Sequence, residues 1–368
     1  MRGRVFKNSK LSLFFVLFIG TQACGRGGSH SPESGVNVPM RLSSGEDCYP
    51  RKINNKSEVV LACGDRQVAI WSEKNGIEEL PPMPQVFSIS PPNILLTFQI
   101  LGFSDDGKVL LSVTAPFDFP SIEEIPVESY LYDGSSYLRL SGDFRAMSSN
   151  GEYLAGLVGD FQPTVLRNLT PMPVVSLPDQ TYVIDVMAVN NSGVAIADAY
   201  YTDSLHAYLN RYAATFSKDE SKILPPPSRP DRNSSSAIDI NSAGKILIAF
   251  ENEPSLDVRD SPIFRTSVLS KDGEIEDIYA NSPKFVSTLS AGFNDSETAI
   301  FTYVDQADDV LIYRKGKSVT KLQELVKLKE GEVITSLISE INDQNEILMA
   351  VSPGIETSET EYRLVKIE

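Results

Sequence analysis

Two histidines and three cysteines limit the chemistry open to this chain of 368 residues. A serine or cysteine nucleophile usually needs a histidine base beside it, and only His30, in a polar N-terminal stretch, and His206, in an apolar strand-like stretch, could serve. Metal centres built from His and Cys are excluded by the same count. Oxygen chemistry stays open, because 49 residues are acidic. Asp105-Asp106 and Asp308-Asp309 are adjacent acids of the kind a Ca²⁺ site uses, but successive strand residues face opposite ways and no EF-hand loop is present, so both pairs read as solvated. Two carboxylates for glycoside cleavage need only proximity in space, which a sequence does not show. No Walker loop, G-x-G-x-x-G, G-x-S-x-G, WD dipeptide or Asp box occurs, so neither a cofactor nor a metal is expected.

The cysteines carry more. Residues 1–10 hold four positive charges and no acid, LSLFFVLFIG follows, and the apolar run stops before Thr21-Gln22-Ala23-Cys24. A basic region, a short apolar core and a small residue at the break describe an export signal over residues 1–23, and ten apolar residues are too few to span a bilayer. The last four residues resemble the lipobox of bacterial lipoproteins, which implies that Cys24 is lipidated and becomes the mature N-terminus. Gly25 in place of an Asp then implies the outer membrane. Residues 24–35, rich in Gly and Ser, form a flexible tether. Cys48 and Cys63 remain, and an even pair in an exported domain is most simply a disulfide.

Loss of residues 1–23 takes the formal charge from -16 to about -20. So acidic a surface argues against nucleic acid, and leaves the lipid as the only membrane contact.

The elements that position these residues repeat. A hydrophobic residue, four turn-forming residues and an apolar run recur seven times, beginning at Ile53, Phe103, Met147, Val189, Ile240, Phe293 and Ile341, with spacings of 42 to 53 residues. Periods in this range mean a repeat architecture. Asn, Asp and Ser suit tight turns, and the glycine ending most copies accepts positive φ. Asn345 suits the same geometry where glycine is missing, whereas Ser57 and Glu297 point to a different turn. Most copies are followed by a second strand pair, as in QVAIW-SEKNG-IEEL. Four short strands per unit describe one blade, so residues 36–368 are expected to form an all-β, seven-bladed propeller of four-stranded antiparallel blades.

The last unit is one strand short, and residues 36–42, VNVPMRL, have no neighbour in their own unit. They are expected to supply the outermost strand of the last blade and so cover its edge. If Asn54 to Ser57 form the first turn, Ile53 opposes Glu58, and counting outward brings Cys48 opposite Cys63, close enough to bond.

The N-D-x-G turn followed by an apolar strand, and His206-Ala207-Tyr208-Leu209 in the fourth unit, resemble the bacterial extracellular HAF-type repeats. Val68-Ala69-Ile70-Trp71 sits at the matching place in the first unit. The resemblance implies fold, not activity, and gives His206 a structural role. Function must then reside in what differs between units. The connections from second to third strand, among them APFDFPSIEEIPVES and the stretch around AYYTDSLHAY, are long, and variable loops on a rigid scaffold are where recognition sits. Phe117, Phe119, Tyr200 and Tyr201 are the expected partner-binding anchors. The expected function is a monomeric, non-catalytic binding or scaffolding lipoprotein of the envelope that recognises a protein or glycan. The second reading is an envelope hydrolase or lyase using loop carboxylates.

Overall fold

The computed structural model describes residues 35–64, 67–84, 97–114, 128–159, 161–179, 181–202, 209–224, 234–252, 263–278, 288–303, 306–354 and 360–368. These form seven four-stranded antiparallel sheets. Blade 1 comprises Cys48–Ile53, Val59–Cys63, Gln67–Ser72 and Gly76–Glu79, and blade 2 Thr97–Phe103, Val109–Thr114, Glu128–Tyr132 and Tyr137–Leu140. Blade 3 comprises Asp143–Met147, Tyr153–Val158, Gln162–Arg167 and Thr170–Pro171, and blade 4 Thr181–Val189, Ala195–Thr202, Leu209–Phe216 and Ser221–Leu224. Blade 5 comprises Ser235–Ile240, Ile246–Asn252, Ile263–Leu269 and Ile275–Asp277, and blade 6 Thr288–Phe293, Thr298–Tyr303, Gln306–Arg314 and Thr320–Lys321, followed by a single helical turn, Leu322–Leu325. Blade 7 takes Val333–Ile341, Glu346–Ser352 and Glu361–Lys366 from the end of the chain and Val36–Val38 from its beginning. Seven apolar clusters, one at each blade-to-blade contact, form the core.

The ring closes as the missing strand requires. Val36, Asn37 and Val38 pair with Leu364, Arg363 and Tyr362. Only residues 36–38 of the expected 36–42 pair in this way. Val38 and Tyr362 enter the same buried cluster as Cys48, Cys63, Trp71 and Leu348, so the seam between blades 7 and 1 is packed as a core.

Cys48 faces Cys63 and is bonded to it. The register that brings them together differs from the one expected. Ile53 pairs with Val59, not Glu58, and a β-bulge between Pro50 and Lys52 takes up the extra residue before the cysteines are reached. The turn is one residue longer than a tight hairpin: Ser57 N–H donates to Asn54 O, and Asn54 N–H to Glu58 O. This is a type I turn closed by one residue in the left-handed region. The same turn recurs in every blade, with positive φ at Ser57, Gly107, Gly151, Gly193, Gly244, Glu297 and Asn345.

Ser57 and Glu297 therefore do not mark a different turn. A left-handed side chain costs about 1–2 kcal/mol, and at the three positions without glycine that side chain bonds a neighbouring blade. Ser57 Oγ donates to Glu346 at 2.6 Å, Lys245 and Lys315 converge on Glu297 at 2.8 and 2.7 Å, and Asn345 Oδ1 accepts from Asn294 and Ser296. Glycine makes none of these bonds.

The polar residues of the repeated phrase do more than turn the chain. In the first turn Asn54 Oδ1 accepts from the N–H groups of Lys56 and Glu58, while its amide donates to Ser104 O in blade 2. Asn190, Asn241, Asn294 and Asn342 each donate in the same way to the following blade, the last to Asn54 O at 2.9 Å. The next position forms an unbroken circle. Asn55 N–H donates to Asp105, Asp105 N–H to Ser149 O, Ser149 Oγ to Asn191 and Asn191 Nδ2 to Ser242. Ser242 N–H donates to Asp295, Asp295 N–H to Asp343 and Asp343 N–H to Asn55. Asp105 is thus a member of this belt, not a solvated acid. The propeller is closed twice, by an outer strand and by an inner ring of hydrogen bonds.

Candidate functional site

Within each blade the residue before the turn hydrophobe lines a cavity on the propeller axis: Lys52, Gly102, Ala146, Ala188, Asp239, Gly292 and Glu340. Four are small and three are charged. A bulge in the first strand precedes this position in each blade and re-aims the side chains. The four small residues leave room for the three large ones. Lys52 Nζ lies 2.5 Å from Glu340 Oε1. Asp239 accepts from the N–H groups of Ile240 and Phe293, both at 2.8 Å. Burial pushes the Asp239 carboxyl up to about 7, and Glu340 pushes it the same way against the pull of the backbone donors and Lys52. Burial alone would lower the Lys52 ammonium, but the Glu340 carboxylate holds it above its usual range.

A carboxyl that titrates near neutrality suits general acid–base work, but space limits it. The axial cavity measures about 230 Å³, below the roughly 300–1,000 Å³ of small-molecule sites. It can hold protons and a few waters, whereas a macromolecule must be met on an outer face. Among the described residues no three His, Cys, Asp or Glu side chains gather to hold a metal.

The face opposite the repeated turns carries such a surface. The short connection between the second and third strands of blade 3 presents Phe161, 72% exposed, in the left-handed region at φ 58, with its N–H bonded to Gly159 O. Beside it, Tyr182 at the start of blade 4 is 65% exposed, and Val175 and Ile184 are each 42% exposed. These four line a groove of about 540 Å³ with Gln162, Ser176 and Thr181 and without a charged residue. The Thr181 hydroxyl is buried there with no hydrogen-bond partner among the described residues.

The expected anchors stand differently. Phe117 and Phe119 lie outside the described residues, as do Cys24, His30 and His206. Tyr200 and Tyr201 belong to the second strand of blade 4, not to a loop. Tyr200 is half-buried and pairs with Tyr182 on one side and Arg211 on the other, so the sequence reading reached the edge of the aromatic patch and missed Phe161 and Tyr182. Phe161 was hidden by a connection of three residues, since long loops drew attention. The charged axial residues were legible in the repeat alignment, in the column immediately before the turn hydrophobe.

No family model matches the chain, and no curated protein does. Solved structures with the same architecture do. The β-propeller domain of the Trilobed protease from Pyrococcus furiosus, described as having an open velcro topology, aligns over 86% of this chain and 93% of its own at 12% identity and a TM-score of 0.53. YCF48 bound to D1 peptide aligns over 92% of this chain and 96% of its own at 10% identity and a TM-score of 0.49. The ulvan lyase of polysaccharide lyase family PL25 aligns over 91% and 94% at 13% identity and a TM-score of 0.43. The likeness is one of fold. Here the outer strand of the last blade comes from the N-terminal end, so the ring is closed.

Proposed function

We propose that the chain is an exported, lipid-anchored and non-catalytic binding module that recognises a protein or glycan of the bacterial envelope through the face opposite the repeated turns. The observation that carries this reading is the uncharged groove of Phe161 and Tyr182, whose exposed aromatics offer large contact area at low entropic cost. The buried Cys48–Cys63 bond supports an oxidising compartment, and the signal-like residues 1–23 with Cys24 support lipid anchoring at the outer membrane. Phe117, Phe119, Tyr200 and Tyr201 extend the surface in this reading.

Capture from envelope extract tests it. Phe161→Ala and Tyr182→Ala, which remove exposed side chains, are expected to weaken capture by tens-fold at an unchanged melting temperature. Capture that survives both substitutions refutes the reading. Turnover of cell-wall fragments or glycans by the purified protein would instead establish a hydrolase or lyase using loop carboxylates.

A further inference from the structure

Blades 4 and 5 part on the side of the repeated turns to leave a cleft of about 800 Å³, within the size range of small-molecule sites. Its apolar residues include Val194 and Leu224 from blade 4 and Ile246, Phe250, Leu269 and Ile275 from blade 5, and its uncharged polar ones include Asn190, Ser192, Ser217, Ser242 and Ser270.

One wall residue breaks the pattern of the other blades. At the third-strand position that faces the following blade, six blades carry Ile70, Leu131, Val165, Val268, Ile312 and Leu364, and blade 4 carries Thr215. Thr215 is 5% exposed, and no hydrogen bond among the described residues involves its hydroxyl. That hydroxyl borders the cleft and can donate to or accept from a ligand group. The mouth of the cleft carries Asp219 and Glu220 with Lys222 on blade 4, and Lys271 on blade 5. Glu220 and Lys222 pair at 3.3 Å. Asp219 and Lys271 have no ion-pair partner among the described residues, and they stand on opposite walls.

We infer that this cleft binds a zwitterionic amphiphile. The alkyl or acyl chain lies against the apolar residues of both blades, a polar atom of the ligand meets the Thr215 hydroxyl, and the head group spans the mouth with its cation toward Asp219 and its anion toward Lys271. The opposite charges at the mouth select this head group over a purely anionic or cationic one.

Dodecylphosphocholine below its micelle-forming concentration, titrated calorimetrically into the purified full-length chain, tests the site. Dodecyl sulfate and dodecyltrimethylammonium serve as head-group comparisons. The zwitterion is expected to bind at least fivefold more tightly than either. Thr215→Leu places in blade 4 the residue that blades 2 and 7 already carry, so the ring should hold its melting temperature while binding weakens at least tenfold. Lys271→Glu, at an exposed turn, is expected to cost at least fivefold in affinity for the zwitterion and to favour the cationic comparison. Undiminished binding to Thr215→Leu overturns the site, and unchanged head-group preference in Lys271→Glu overturns the proposed orientation. Absence of any binding to the unaltered chain overturns both.

Discussion

Asp239→Asn is expected to change the pH dependence of stability. In the folded chain the Asp239 carboxyl sits near 7, against about 3.9 in an unfolded chain. Between those values the folded state holds a proton that the unfolded state has released, so this group lowers stability as pH rises, by about 1.4 kcal/mol per unit. Three units set an upper bound of about 4 kcal/mol, and the effective dielectric of protein interiors brings the working figure to about 2–3 kcal/mol. Asparagine does not ionise. Its Oδ1 keeps one of the two backbone donors, Ile240 or Phe293, and its amide faces the other, at about 1 kcal/mol. The variant should therefore be less stable than the unaltered protein by about 1 kcal/mol at pH 4 and more stable by about 1–2 kcal/mol at pH 8. Urea unfolding of both proteins at intervals across that range measures the crossing. Two stability curves that run parallel from pH 4 to pH 8 refute the reasoning, because they mean that Asp239 titrates alike in the folded and unfolded states.

Other expectations follow from the closure and the termini. Replacing Cys48 and Cys63 by serine opens a link with a sequence separation of 15 and should cost about 3 kcal/mol, read as a lower urea midpoint than that of the oxidised protein. Asn342→Ala removes the bond to Asn54 O across the seam and the turn bonds to Gln344 and Glu346; a loss of about 2–3 kcal/mol is expected, with faster hydrogen exchange in blades 7 and 1 than elsewhere. Mass spectrometry of the mature protein should find an acylated N-terminal Cys24, and an N-terminus at any later residue without lipid would contradict anchoring.

The fold was legible because seven turn phrases and an unpaired N-terminal strand are both properties of local sequence. Geometry that depends on neighbouring blades was less so. Ser57 and Glu297 read as exceptions because the partners that stabilise their left-handed backbones, Glu346 and the Lys245–Lys315 pair, lie elsewhere in the chain. The Cys48–Cys63 pairing emerged correctly from a register one residue out at Ile53, because the bulge before Lys52 restores the count, and bulges leave little mark on composition. For the proposed recognition surface, loop length led to Phe117 and Phe119, which lie outside the described residues, and away from the short connection at Phe161. Tyr200 lies in a strand beside Tyr182, and Phe161 owes its exposure to backbone conformation in a three-residue connection.

In the proposed function, recognition occurs on the face opposite the repeated turns, at the groove of Phe161 and Tyr182. Photo-crosslinking in intact cells addresses it directly, with a benzophenone amino acid in place of Phe161 and, in a second protein, in place of the exposed Lys56 on the turn face. A discrete adduct from position 161 and none from position 56 is the expected result. Adducts from position 56 alone would place the partner on the opposite face and contradict the account.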